Sequence, residues 1–388
     1  MRRRTHGRVA TLAVTLALAA LADVLSAQMP AVDSAAADSV RVARTQTLLK
    51  HSRAGQVLYQ RLPYGSQGYF SPLTVLLNKG FDHFQAKNAR RDVWRFPYER
   101  AFRNNVFDAL ANPGRAIEFH PGWHRWIRSE VLPFTFTTGE ARWAVNYTEH
   151  MLAGGLTYRA LDEWFRVRDV PLPRLLAAAT TFGAAMINEA VENPDVTSGT
   201  SGSVADLLVF DLGGILLFDW DPLVRFFGGT LQGADWSNLA TFTTPNAELR
   251  NSGQYYVLKI PMPWTRTRLF LRGGMGVQSG LSRRVRGEHS LTVALGADTE
   301  MRNVEPVTGA ESIRLKFGGG VYWDRRNSLL ASVNFSPNAD AVKVNVFPGV
   351  LPGVGRDLGT WVALTREGHL MAGIVSRRAL GLGAGLGW

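Results

Sequence analysis

Asn146, His150, Gly154 and Thr157 or Tyr158 recur at i, i+4 and i+8 in "WAVNYTEHMLAGGLTYRALDEW". That spacing places side chains on one face of a helix. A histidine so placed can serve as a general base or ligate a metal through an imidazole nitrogen. Further along, "MINEAVENPD" carries Glu189 and Glu192 at i, i+3 between Asn188 and Asn193. After the loop "VTSGTSGS", Ser203 precedes "VADLLVFDLGG". This spacing predicts that Ser203 caps the next helix, with Asp206 as the acid of a capping box.

His150, Glu189 and Asp206 form the candidate catalytic set, with Asn146, Glu192 and Asp211 as candidate binding residues. Together they could hold a divalent metal or pair a general base with orienting acids. Each also has an architectural reading. A buried histidine on a Gly-rich face hydrogen-bonds a carboxylate, Glu189 and Glu192 pair with arginines such as Arg142, Arg159 or Arg174, and Asp206 only caps. Gly154 and Gly155 would let a second helix approach His150 closely, at some cost in helix stability.

More specific chemical motifs are absent. The chain has no cysteine, so it offers neither a disulfide framework nor a thiolate metal site. His150 lacks the second histidine of H-E-x-x-H, and there is no G-x-S-x-G elbow, P-loop or G-x-G-x-x-G in a strand–helix context. His120 and His124 have helical spacing, but Pro121 and Gly122 between them argue against a regular helix. No motif calls for a cofactor, and the identity of any metal stays open.

The elements that must position these residues are helical from about 69 to 230, in stretches such as "SPLTVLLNKGFDHF", "PRLLAAATTFGAAMINEAVEN" and "VADLLVFDLGGILLFDWDPLVRFFGG". Asp206, Asp211, Asp219 and Asp221 interrupt the last one, and charge at bilayer depth is costly. The expected arrangement is a bundle packed on itself, on the strands that follow, or inside them. In "FHPGWHRWIRSEV", Phe119, Trp123, Trp126 and Ile127 with Arg125 and Arg128 suit either an interfacial amphipathic helix or packing into that bundle.

The grammar then changes. Residues 251–388 hold 21 of the 39 glycines, and apolar residues begin to alternate. In "ESIRLKFGGGVYWD", Ile313, Leu315, Phe317, Val321 and Trp323 share one face, with Arg314, Lys316 and Tyr322 on the other. Period two indicates half-exposed strands. We expect them near 253–261, 267–278, 289–300, 311–323, 328–336, 340–347, 358–366, 369–377 and 380–388, with a weak tenth run near 239–245. A simple apolar face opposite Gly, Thr, Asn, Lys and Arg, with Trp264, Trp323, Trp361 and Trp388 near strand ends, favours a transmembrane barrel over a soluble sandwich. The ending "ALGLGAGLGW" suits the closing strand of such a barrel and its recognition by barrel-assembly machinery.

The start agrees. "MRRRTHGRVATLAVTLALAALADVLSAQ" combines arginines, an apolar run from Val9 to Ala22 and Leu25-Ser26-Ala27, as in a cleaved signal peptide. Removing residues 1–27 takes four arginines and one aspartate, and lowers the net charge from +11 to +8. That charge suits an anionic membrane surface or an acidic ligand. The basic residues are dispersed and the chain is exported, which excludes nucleic acid as a partner.

Read in order, "NYTEHMLAGGLTYRALDEW", "MINEAVEN", "SGSVADLLVFDLGGILLF" and the strand-rich end resemble an uncharacterised family of bacterial outer-membrane proteins with a helical region before a barrel. Residues 146–217 are also loosely similar to VanZ-like helical domains. The first resemblance points to Asn146, His150, Gly154, Gly155, Asn188, Glu189, Glu192, Asn193, Asp206, Asp211 and Gly214. Neither resemblance implies a reaction.

The expected fold is therefore α+β: signal peptide 1–27, flexible lead 28–65, helical region 66–235 and an antiparallel transmembrane β-barrel of 8–10 strands over 236–388. The expected location is the outer membrane, with its lipids as partners. The leading function is structural, binding or envelope maintenance. The alternative is a lipid or glycan hydrolase using His150 with Glu189, Glu192 or Asp206. A small-solute pore, resting on Arg314, Lys316 and Lys343, comes third because so narrow a lumen fills with side chains. Oligomeric state is left open.

Overall fold

The computed structural model describes residues 58–85, 91–134, 142–192, 200–244, 247–304, 311–336, 340–351 and 356–387. The expected signal segment, the lead up to residue 57, Asn193 and Trp388 lie outside the described residues.

Helices come first and strands second. The helix Pro72–Gly80 starts on a reciprocal cap: Thr74 N donates to Ser71 Oγ at 3.2 Å, and Ser71 N donates to Thr74 Oγ1 at 2.8 Å. The helix Pro173–Glu192 buries a stripe of small residues, Ala177, Thr181, Ala184 and Ala185. That stripe lets it lie between the helix Pro72–Gly80 and the continuous helical stretch 142–166. A Cβ on Gly80 would stand 3.0 Å from Ile187 Cγ2, so these helices touch almost at backbone level. Ser201–Phe218 is long and apolar enough to cross a membrane by length and composition, and half of it is buried inside the protein. In "FHPGWHRWIRSEV", Trp126 is buried, whereas Phe119, Trp123 and Ile127 are exposed.

The strands are β1 (Ala234–Asp235), β2 (Thr241–Thr244), β3 (Glu248–Arg250), β4 (Tyr256–Pro261), β5 (Thr267–Gly273), β6 (Gly276–Arg286), β7 (His289–Val304), β8 (Glu311–Arg325), β9 (Ser328–Phe335), β10 (Asp340–Val346), β11 (Leu358–Thr365), β12 (Leu370–Ser376) and β13 (Gly383–Gly387). They form one 13-stranded sheet, not the expected 8–10 strands, in the order β1-β4-β5-β6-β7-β8-β9-β10-β11-β12-β13-β2-β3, because the short strands β1, β2 and β3 flank the ten-stranded run β4–β13. From β4 to β13 it is an antiparallel meander of sequential neighbours.

Two details correct the strand reading. The run 267–278 is two strands, β5 and the start of β6, joined at Gly274-Met275 with Gly274 at φ +153°. The run near 239–245 does contain a strand, but β2 pairs parallel to β13 (Phe242 with Ala384, Thr244 with Leu386) and is not a further member of the meander. The same stretch of chain reaches the opposite edge. β1 pairs antiparallel with β4, and Trp236 N and Asn238 N continue that ladder to Tyr255 O and Gly253 O at 2.8 and 3.0 Å. Residues 234–244 thus hydrogen-bond both outer strands of the meander.

On β6, β7, β8, β12 and β13 the faces are inverted relative to a soluble domain, whereas β9 is buried on both faces, with Ala331 and Val333 packed against Leu62, Tyr64 and Val350. Val277, Leu281, Val293, Leu295, Phe317, Ile374 and Leu386 lie 52–76% exposed. Their alternates Gln278, Ser282, Thr292 and Asp298 are buried, as are Ser332 and Asn345. The buried face is not purely polar. Trp236 packs on Phe270 and Tyr322 with ring centroids 5.5 and 5.7 Å apart, in a cluster with Tyr69, Phe347, Trp361 and Val375. Strands as distant in the sheet order as β5 and β12 meet in this cluster.

Candidate functional site

Three helical stretches converge on His150. It lies on 142–166, Glu189 lies on Pro173–Glu192, and Asp206 and Asp211 lie on Ser201–Phe218. The close approach depends on glycine. A Cβ on Gly155 would meet Phe218 Cδ2 at 2.1 Å and Gly214 O at 2.8 Å, and one on Gly214 would meet Met151 O at 2.4 Å. Asn146–Ala153 and Ala205–Asp211 are both wound as wide π turns, as are Phe102–Phe107, Ile127–Val131 and Arg225–Thr230.

His150 Nδ1 is 3.0 Å from Asp211 Oδ2, and the other oxygen of that carboxylate accepts from Lys79 Nζ at 3.0 Å. Asp211 is fully buried and Lys79 nearly so. On the opposite edge of the ring, His150 Nε2 is 3.9 Å from Asp206 Oδ1. A ligand atom from each of His150, Glu189 and Asp206 lies within 4.8 Å of the other two. Burial works against an imidazolium at His150, but the carboxylates of Asp206 and Asp211 more than offset it and push its pKa up to about 10. The two carboxylates thus favour positive charge at this ring.

The remaining expected residues separate from this trio. Asn146 turns to Glu130, donating to its backbone oxygen at 3.0 Å, and Arg142 meets the same Glu130 carboxylate at 3.4 Å. Glu192 ends its helix and is not part of the trio. Asn188 donates to Lys79 O at 3.0 Å, and thereby ties that helix to the one bearing Lys79. Arg159 faces Asp221 at 3.3 Å and Arg174 faces Asp219 at 3.7 Å. Lys316 stands opposite Asp298 in the β7–β8 register and Lys343 pairs with Asp340 at 3.0 Å, both on strands away from His150. Arg314 is in β8, with its side chain outside the described residues. The expected cap is also corrected. The helix begins one turn earlier, at Ser201, and Thr200 Oγ1 accepts from Ser203 N at 3.2 Å, so Asp206 is released from a capping role.

Lys79 is the member that sequence reasoning passes over. Its one local mark is that it is the sole charged residue in "PLTVLLNKG". Beside it, Asp82, Glu149, His150, Asn188 and Gln254 line a cleft between the helices and the start of β4. Burial pushes Asp82 up to about 7, against the hydrogen bond from Gln85 and the charge of Lys79. Gln85 in turn accepts from Tyr255 Oη at 2.6 Å, which places the cleft next to a second polar pocket lined by Arg272, Gln278, Asp298 and Lys343.

Compared with protein-family models, curated proteins and solved structures, the chain matches none.

Proposed function

We propose that the chain is an outer-membrane protein of binding or envelope-maintenance type, whose strands form a closed, filled barrel that carries the helical region. The observation behind this reading is the inverted sheet. Seven large apolar side chains at least half exposed, alternating with buried Gln, Ser, Thr and Asp, would be an aggregation liability in water but are at home against lipid. Residues 234–244, bonded to both β4 and β13, supply a way to close the meander without an open edge. The motif resemblance to outer-membrane proteins and the signal-like start agree.

The interior argues against a pore. Trp236, Phe270, Tyr322 and Trp361 pack together where a channel would run, and the buried pair Lys259–Asp324 lies among them. The protein folded in detergent is expected to run faster on a gel unheated than boiled, to sediment with outer membranes, and to leave a planar bilayer silent. Unchanged mobility together with recovery in a soluble fraction would overturn the location. Steady conductance would overturn the filled lumen.

The alternative, a lipid or glycan hydrolase, draws support from the Asp211–His150 hydrogen bond, which orients the imidazole as catalytic dyads do. Its test is whether His150→Ala and Glu189→Gln abolish a lipid- or glycan-cleaving activity of the folded protein.

A further inference from the structure

We propose that His150, Glu189 and Asp206 bind one divalent transition-metal ion. The inference goes beyond the membrane reading and does not rest on it. One imidazole nitrogen and two carboxylates are a donor set that zinc, manganese and cobalt accept, and their charge of −2 with a neutral imidazole matches a divalent ion. Three protein donors leave a further coordination position for water or a ligand.

Geometry supports the assignment in three ways. First, the ring is oriented from behind. Asp211 holds Nδ1 at 3.0 Å and is itself held by Lys79, the carboxylate–histidine pairing that fixes tautomer and direction in metal sites. Second, Nε2 is thereby aimed at Asp206 Oδ1, an enclosed oxygen that has no hydrogen-bond partner among the described residues. A neutral imidazole would turn a lone pair toward that carboxylate, so the place between them calls for a positive charge. Third, the spacing is near what an ion needs. Donors about 2.0–2.2 Å from a tetrahedral ion stand about 3.4 Å apart. The 3.9 Å between Nε2 and Oδ1 closes with a movement of roughly half an ångström. The donors come from three separate helices, so an ion there would cross-link them.

The competing occupant is a proton on Nε2, and the experiment separates the two. The full mature chain, folded in detergent and stripped with chelator, is titrated with Zn²⁺, Mn²⁺ and Co²⁺. One equivalent of at least one metal is expected to bind and raise the unfolding temperature, and Co²⁺ should give visible absorption of a coordinated ion. His150→Gln and Asp206→Asn should each weaken binding at least tenfold, while the exposed His124→Ala binds as wild type does. Heat-dependent gel mobility of the same samples reports folding, so a misfolded variant is recognised. Should His150→Gln misfold, Asp206→Asn and the wild-type Co²⁺ spectrum decide. No stoichiometric binding by folded wild type, or undiminished binding by folded His150→Gln or Asp206→Asn, would overturn the site and leave a proton there instead.

Discussion

Lys79 and His150 share one carboxylate: Asp211 takes the ammonium on Oδ1 and the imidazole on Oδ2, each at 3.0 Å. These three residues sit on three different helical segments, so Asp211 is a bracket between them as well as the orienter of a ring. Removing its charge strands a buried lysine. Breaking one side of a buried pair costs about 3–5 kcal/mol. Asp211→Asn is therefore expected to lower stability by that order in urea unfolding of the detergent-folded protein, and Lys79→Met in the same background should recover part of the loss. Additive losses would mean the contact carries no coupling.

Glycine sets how near the bracketed helices come. Gly155→Ala adds a Cβ 2.1 Å from Phe218, and overpacking of that kind costs about 1–3 kcal/mol. The gain of about 1 kcal/mol from alanine's helix propensity acts the other way. Gly183, in Pro173–Glu192, would place its Cβ in open space, so Gly183→Ala keeps the gain without the clash. Opposite signs in the two unfolding temperatures are expected. Equal shifts would show that the 142–166 and 201–218 helices are not pressed together.

Much of this was readable in the chain because period two and period 3.6 are local properties. The alternation of β7 and β8 over "HSLTVALGADTE" and "ESIRLKFGGGVYWD" marks both as strands, and they pair antiparallel with Leu295 opposite Gly319 and Val293 opposite Val321. β6 was hidden for a physical reason. Arg283, Arg284 and Arg286 make its second half look like a loop, and the alternation of exposed Val277 and Leu281 with buried Gln278 and Ser282 ends there, since residues 283–286 are all exposed although they stay paired with β7. The trio His150, Glu189 and Asp206 was legible as residue types. Asp211 was legible as well, but its partner Lys79 was not, because the two are 132 residues apart and no local pattern joins them.

Buried Glu163 gives the stability a pH dependence with a definite sign. Desolvation pushes its pKa up to about 8, against the hydrogen bond from Tyr59 N and the charge of Arg159. An acid whose folded pKa lies above its unfolded value binds more protons when folded, so its contribution falls as pH rises between the two. Stability of the wild type relative to Glu163→Gln is expected to decline from about pH 5 to about pH 8 and then level. A flat difference across that range in parallel unfolding titrations would contradict the protonated assignment.

Lys259 and Asp324 test which side of the sheet is inside. Their charged atoms are in contact, both side chains are 1% exposed, and Lys259 Nζ lies 4.7 Å from the centre of the Trp236 ring. If this face is the enclosed one, neither charge has water to fall back on when its partner is lost. Lys259→Met and Asp324→Leu should then each cost about 3–5 kcal/mol, and the double variant should recover most of it, because an apolar pair of similar volume replaces a buried ion pair at little or no cost. The outward residue Phe317, 76% exposed, supplies the converse. In water Phe317→Lys would be neutral or helpful, whereas a lysine facing the middle of a bilayer costs about 2–4 kcal/mol. Coupling at Lys259–Asp324 together with destabilisation by Phe317→Lys in lipid vesicles is the expected pattern. A harmless Phe317→Lys would mean that the apolar face meets something other than lipid.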